Sequence, residues 1–207
     1  MLTDFDLASW KKDLDSDYTK TSQQRTGTPP FMAHGLLDES EALHLYRHDV
    51  ESLFYVMLIM TTHYEIQLPT KGKKDGGLRT RRGVEELPYQ QWFNQASYRT
   101  LASLKNTFFM KPTHLNLSPA FEDFRGWILG VRRSFLKGFR VKQDHIELQE
   151  YAGEESEDEA MGTFDDETLG GHVDYSALIN PVRKLKGKLK GLIIRYDPPT
   201  GRAKTRR

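Results

Sequence analysis

The groups with which this chain could do chemistry are carboxylates, hydroxyls, imidazoles and cations. Cysteine is absent, which removes disulfides, thiol nucleophiles and thiolate metal sites. Asp4 and Asp6 stand in an acidic turn between apolar residues, in the run Met1-Leu2-Thr3-Asp4-Phe5-Asp6-Leu7-Ala8. From Ser9 to Thr28 the composition is polar and offers the hydroxyls of Thr19, Thr21, Ser22 and Thr26, in what reads as a mobile loop. Asp49 and Glu51 stand at the head of the stretch His48 to Glu65, where the positive end of a helix dipole favours carboxylates, and Asp49 is a good N-cap. Basic side chains gather in two places. Pro69 to Gly83 could touch phosphates, but no aromatic interleaves with its charges to stack a base, so it reads as a solvated loop. Arg183 to Arg207 could bind nucleic acid or anionic lipid, fold against acidic residues of the same chain, or stay solvated; the last two readings are preferred.

These groups need elements to position them. Every position from Leu53 to Met60 is apolar, so a helix over 48–65 is greasy on all faces and belongs in the middle of a domain. The run is far shorter than the roughly 20 residues needed to cross a bilayer, and polar residues flank it closely. Ahead of it, Gly27-Thr28-Pro29-Pro30-Phe31-Met32-Ala33 joins a glycine hinge, two prolines and an apolar patch, with a short helix predicted over Ala33 to Leu37. After it, Pro88 opens a helix containing Trp92, Phe93 and Ala96, and a second helix sets Leu101, Leu104 and Phe108 on one face. Ser118 and Pro119 open an amphipathic helix with Phe121, Phe124, Ile128, Val131 and Phe135 in one stripe; Arg125, Arg132, Arg133 and Lys137 form its solvated face. Residues 141–172 read as a disordered acidic linker, most acidic over Glu154 to Glu159 and again at Asp165 to Glu167, and residues 173–207 as an apolar island, Val173 to Val182, followed by the basic tail. The chain is long enough for one ordinary domain, and no secretory signal pattern opens it, which predicts an intracellular protein of cytoplasm or nucleus.

Three of these pieces, in order, resemble parts of a protein kinase. Asp4-Phe5-Asp6 is similar to the D-F-G metal-binding motif in a D-F-D variant. Arg25-Thr26-Gly27-Thr28-Pro29-Pro30-Phe31-Met32-Ala33 resembles the end of an activation segment, G-T-x-x-Y/F-M-A-P-E. Tyr46-Arg47-His48-Asp49-Val50-Glu51-Ser52-Leu53-Phe54-Tyr55-Val56 looks like the start of the long central helix of the C-lobe. The combination is similar to the fungal-type protein kinase family, over roughly residues 2–140. The resemblance implies a mainly α fold: a kinase-like helical C-terminal lobe with little or no sheet beyond a stub at Met1 to Thr3, and no N-lobe. Residues 1–140 would be this partial C-lobe, with an activation segment over 4–37, the central helix over 48–65 and later helices over 89–139. It also implies ATP-dependent phosphoryl transfer to protein hydroxyls, with Mg²⁺ and ATP as the family's cofactors and a protein substrate or partner. Phosphoryl transfer spreads negative charge over the phosphate oxygens, so a metal, a cation and a proton-accepting carboxylate must surround them. By the resemblance Asp4 holds the metal, Phe5 packs beside it, Thr28 braces the catalytic loop, and Thr28, Pro29, Pro30, Phe31 and Met32 form the substrate-docking floor. Asp49 tethers the catalytic loop.

The departures from the pattern shape the functional expectation. A kinase carries a glycine-rich loop, a strand lysine and an H-R-D-x-x-x-x-N catalytic loop ahead of the metal motif, and none of these precedes Asp4. The His48-Asp49 pair is not that loop, because it follows the metal motif and no Asn stands at the required offset. Asp6 replaces the glycine of D-F-G, which suits the fungal-type pattern. Gly35 stands where the glutamate ending A-P-E would be, with Glu39 as the candidate substitute. The chain therefore reads as a kinase C-lobe inactive by itself and marginally stable. The alternative is a non-catalytic, pseudokinase-like module that binds protein through the docking floor and the basic tail, and nucleic-acid binding by the tail is a third, lesser reading.

Overall fold

The computed structural model describes residues 27–38, 44–67, 77–81, 86–111, 114–152 and 163–185. They form five α-helices, α1 (His34–Asp38), α2 (Tyr46–His63), α3 (Tyr98–Met110), α4 (Arg125–Ala152) and α5 (Tyr175–Leu185), and one hairpin, β1 (Tyr64–Gln67) with β2 (Gly77–Thr80). The fold is mainly α, as the sequence predicts. No helix among the described residues is long and apolar enough to cross a membrane.

Helix α2 is the axis around which the rest packs. The Phe54 ring lies 6.0 Å from Phe108 of α3 and from Phe135 of α4, and 6.1 Å from Trp127. Such aromatic pairs add to the area each ring buries and tie three helices to one side chain. The helix is not buried all round: Phe54, Tyr55, Leu58 and Ile59 are enclosed, but Leu53 is 51% exposed and Met60 37%. Apolar content alone identifies the helix; the neighbours that happen to lie against it decide which of its faces are covered.

Several expected boundaries move. Helix α2 starts at Tyr46, two residues earlier than predicted, and Asp49 is not its N-cap. The backbone N–H groups of Tyr46 and Arg47 instead donate to Glu167, at 2.7 Å to its side chain and 3.1 Å to its carbonyl. A residue from far along the chain thus satisfies two orphan donors of the first turn, one through its carboxylate and one through its carbonyl, and its carboxylate sits at the positive end of the dipole. The expected loop Pro69 to Gly83 contains β2, whose Leu78 and Arg79 pair with Ile66 and Glu65 of β1. Backbone pairing is available to any sequence that a turn brings into register, so the strand needs no apolar alternation. The helix expected after Pro88 is only a 3-10 turn, Gln90–Phe93, entered through a left-handed Tyr89.

The largest change is in the acidic linker over 141–172. Helix α4 continues past Val141 to Ala152. Residues 163–172 form a turn on the domain: Leu169 is fully enclosed in the core, and Asp166 pairs with Lys142 at 2.9 Å and Arg47 at 3.8 Å. Acidic residues here are helix caps and ion-pair partners rather than solvated spacers. Val173 and Leu178 are buried, and Trp127 Nε1–H of α4 donates to the Leu178 carbonyl of α5 at 2.7 Å. Glu154 to Glu159 lies outside the described residues, as does most of the basic tail.

Where the turn meets α4, Gly138 is required. A Cβ added there would lie 2.6 Å from the Leu169 Cβ and 3.3 Å from the Leu169 carbonyl oxygen. Leu169 is itself held at φ 53°, so it cannot easily retreat. Gly138→Ala is expected to destabilise the protein by about 1–3 kcal/mol through overpacking. Guanidinium denaturation monitored by tryptophan fluorescence would check it, and an unchanged midpoint would contradict the close approach.

Candidate functional site

The segment that should form the docking floor is a short 3-10 turn, Pro29–Phe31, directly ahead of α1. Its two prolines fix φ, and Phe31 N–H closes the turn by donating to the Thr28 carbonyl at 2.8 Å. Thr28 is exposed, and Phe31, half-buried, meets Phe93 edge-on at 5.9 Å. Pro30 and Met32 are buried and face the core. The expected five-residue floor is therefore reduced at its surface to Thr28, Pro29 and Phe31. Alternate side chains point inward because a turn this tight must anchor itself.

Two buried charged residues hold the turn in place. Lys105 of α3 is fully enclosed; its Nζ donates to the Pro29 carbonyl at 3.2 Å and to the Met32 carbonyl, and lies 4.2 Å from the Tyr55 ring centroid. Burial drives the lysine down to about 7, against the opposing pull of the Glu51 carboxylate. Glu51 of α2, also fully enclosed, accepts from the His34 N–H at 2.8 Å, from the His34 ring at 3.0 Å and from the Tyr55 hydroxyl at 2.5 Å. Burial would raise its pKa, but the charge and hydrogen bonds of His34, with the Tyr55 hydroxyl, hold it down at about 2. Together they pin both ends of the segment 29–34 to α2 and α3.

Neither residue was visible as a site member from the chain alone. Glu51 reads as a helix-dipole carboxylate, and Lys105 carries no reading of its own. One signal was available: Lys105 stands four residues after Leu101 and four before Phe109, inside the buried stripe of α3. Arg132 is a similar case. Expected on a solvated face, it donates to the Phe108 carbonyl at 2.8 Å and the Phe109 carbonyl at 2.7 Å, capping the C-terminus of α3.

Asp49 is exposed and accepts from His44 Nε2 at 2.8 Å. That carboxylate–imidazole contact raises the His44 pKa, through the hydrogen bond first, while burial opposes it. His48, beside it, is buried and pushed down to about 4 by desolvation and by the charge of Arg47, so it is neutral at pH 7. A neutral imidazole whose Nδ1 accepts from the Leu45 N–H at 3.0 Å serves the entry to α2. Glu39, the candidate substitute for the glutamate of A-P-E, lies outside the described residues; the buried carboxylate behind α1 is Glu51.

Among the described residues no group of three or more His, Asp or Glu could hold a metal ion. Asp4, Phe5 and Asp6 lie outside them.

A proline-anchored turn pinned to a long central helix is the arrangement expected at the end of a kinase activation segment. Residues 1–61 match the family model described as fungal protein kinase, which supports the resemblance carried by the motifs from Asp4 to Val56. The match covers the start of α2 and ends within it. No curated protein and no solved structure matches the chain.

Proposed function

We propose that this chain supplies the activation-segment end and helical scaffold of a fungal-type Ser/Thr protein kinase C-lobe, and that by itself it does not transfer phosphate. The observation that carries the reading is the pinning of Pro29 to His34 by Lys105 and Glu51, set inside the stretch that matches the family. In this reading Thr28, Pro29 and Phe31 would meet a protein substrate, Asp4 would be the residue to hold Mg²⁺, and Asp49 would tether a catalytic-loop backbone where one is supplied. The exposed carboxylate of Asp49 can accept further donors, since only His44 engages it among the described residues.

Transfer needs a phosphate clamp and a proton acceptor placed together, because positioning and charge stabilisation supply nearly all of the acceleration. These 207 residues contain no H-R-D-x-x-x-x-N to provide the acceptor. Incubation of the purified chain with Mg²⁺, radiolabelled ATP and a generic acceptor protein should give no incorporation above the Asp4→Ala variant. Incorporation that Asp4→Ala abolishes would overturn the inactive reading.

The second reading, a protein-binding module, rests on Phe31, which stays half-buried against Phe93 at the surface of the anchored turn. It differs from the first in that binding persists without ATP. A module of this kind should lose a captured partner on Phe31→Asp while its thermal midpoint is kept.

A further inference from the structure

Helices α1, α2, α3 and α4 border a half-open cleft of about 590 Å³ beside Gly35. That volume lies in the range of small-molecule sites and is far larger than an inorganic ion needs. Its charge is one-sided. Arg47, Arg99, Arg140 and Lys142 line it, and among the described residues no Asp or Glu does. Asp166 engages two of these cations, Lys142 and Arg47. Arg99 and Arg140 are exposed and have no hydrogen bond or ion pair to any described residue. Arg47 is only 7% exposed, and its Nε is buried with no hydrogen-bond partner. That Nε is sealed from the cleft; the part of the guanidinium beside Gly35 is Nη1.

The rest of the lining narrows the ligand. Met110, Phe139 and Ile146 provide an apolar wall, and Ser103 and Asn106 provide neutral hydrogen-bonding groups. Gly35 leaves the floor open: a Cβ there would lie 3.6 Å from His48 Nε2 and 3.8 Å from Arg47 Nη1, so a side chain at this position would project toward the guanidinium. Planar guanidinium groups match phosphate oxygens two at a time, and a phosphomonoester carries close to two negative charges at neutral pH.

We propose that the cleft beside Gly35 binds an organic phosphomonoester, its phosphate received by Arg47, Arg99 and Arg140 and its carbon body lying against Met110, Phe139 and Ile146. The anion offsets Arg99 and Arg140, which meet no carboxylate among the described residues.

Phenyl phosphate titrated into the full chain by isothermal calorimetry tests this, with phenol and inorganic phosphate as comparison probes. Phenyl phosphate should bind, and rising salt should weaken it. Phenol should bind at least about tenfold more weakly for want of the charge, and inorganic phosphate more weakly for want of the apolar contact. The paired Arg99→Ala and Arg140→Ala variant should lose about tenfold or more in affinity while keeping its thermal midpoint, since both side chains are exposed. Gly35→Glu should abolish binding by placing a carboxylate against Arg47. Absence of phenyl phosphate binding, equal binding of phenol, or an affinity unmoved in the double-alanine variant each overturns the proposal; the last holds even if Gly35→Glu fails to fold.

Discussion

Replacing Glu51 by alanine is expected to destabilise the protein by roughly 3–5 kcal/mol, the loss typical of removing one partner from a buried charged network. Three donors lose their acceptor at once: the His34 N–H, the His34 ring and the Tyr55 hydroxyl. The enclosed Tyr55 cannot turn to water, so its hydroxyl bears a full desolvation penalty. Glu51→Gln keeps the shape and one acceptor oxygen, and should lose less. The pH dependence separates charge from shape. Glu51 is held at about 2 against an ordinary value near 4.5, so its ionised form stabilises the fold fully above pH 4.5 and that stabilisation is lost as pH falls toward 2. Wild-type stability, from urea midpoints between pH 6 and pH 2.5, should therefore drop more steeply than that of Glu51→Gln. Parallel curves would rule out the carboxylate as the group that holds His34.

The second large effect also makes stability rise with pH, but in a different window. Lys105 is driven from an ordinary 10.5 down to about 7, so between these values the unfolded chain binds a proton that the folded chain does not. Stability should then rise with pH from 7 toward 10, by up to a few kcal/mol. The groups facing Lys105 do not reverse this: Glu51 stays ionised throughout the window, and Tyr55, pushed well above 10 by burial and by Glu51, stays neutral. Lys105→Met removes the titration along with the hydrogen bonds to Pro29 and Met32. Near pH 6 the variant should lie close to wild type, because the lost bonds are offset by relief of a buried charge. Near pH 9.5 wild type should be the more stable by a few kcal/mol. Denaturation midpoints for both proteins at the two pH values decide it, and a gap that does not widen with pH would contradict the buried-amine assignment.

These two residues show how far the chain could be read before it was folded. The apolar run Leu53 to Met60 announces α2; Ser118-Pro119, expected to open the amphipathic helix, open a 3-10 turn instead, and α4 begins at Arg125. Ile128, Val131 and Phe135 are buried where their spacing puts them. These features are local: a helix face repeats every three or four residues and needs no knowledge of its partner. Long-range polar contacts were not legible. Lys105 meets the Pro29 carbonyl 76 positions away, and Glu167 meets the Tyr46 N–H 121 positions away. The acidic turn around Asp166 reads as a spacer until Arg47, Lys142 and the head of α2 are brought to it.

The sequence by itself therefore determined a mainly helical protein, its central helix, the proline-anchored turn before it and their similarity to the fungal protein kinases. It did so because periodicity, proline geometry and motif order are properties of neighbouring residues. Tertiary structure alone decided which charges are buried, which carboxylate caps α2, and that the segment Pro29 to His34 is clamped from two helices. Whether a charged side chain is buried, and so whether it is paired, shifted or left unmet as at Arg47, depends on groups that only the completed fold brings within reach.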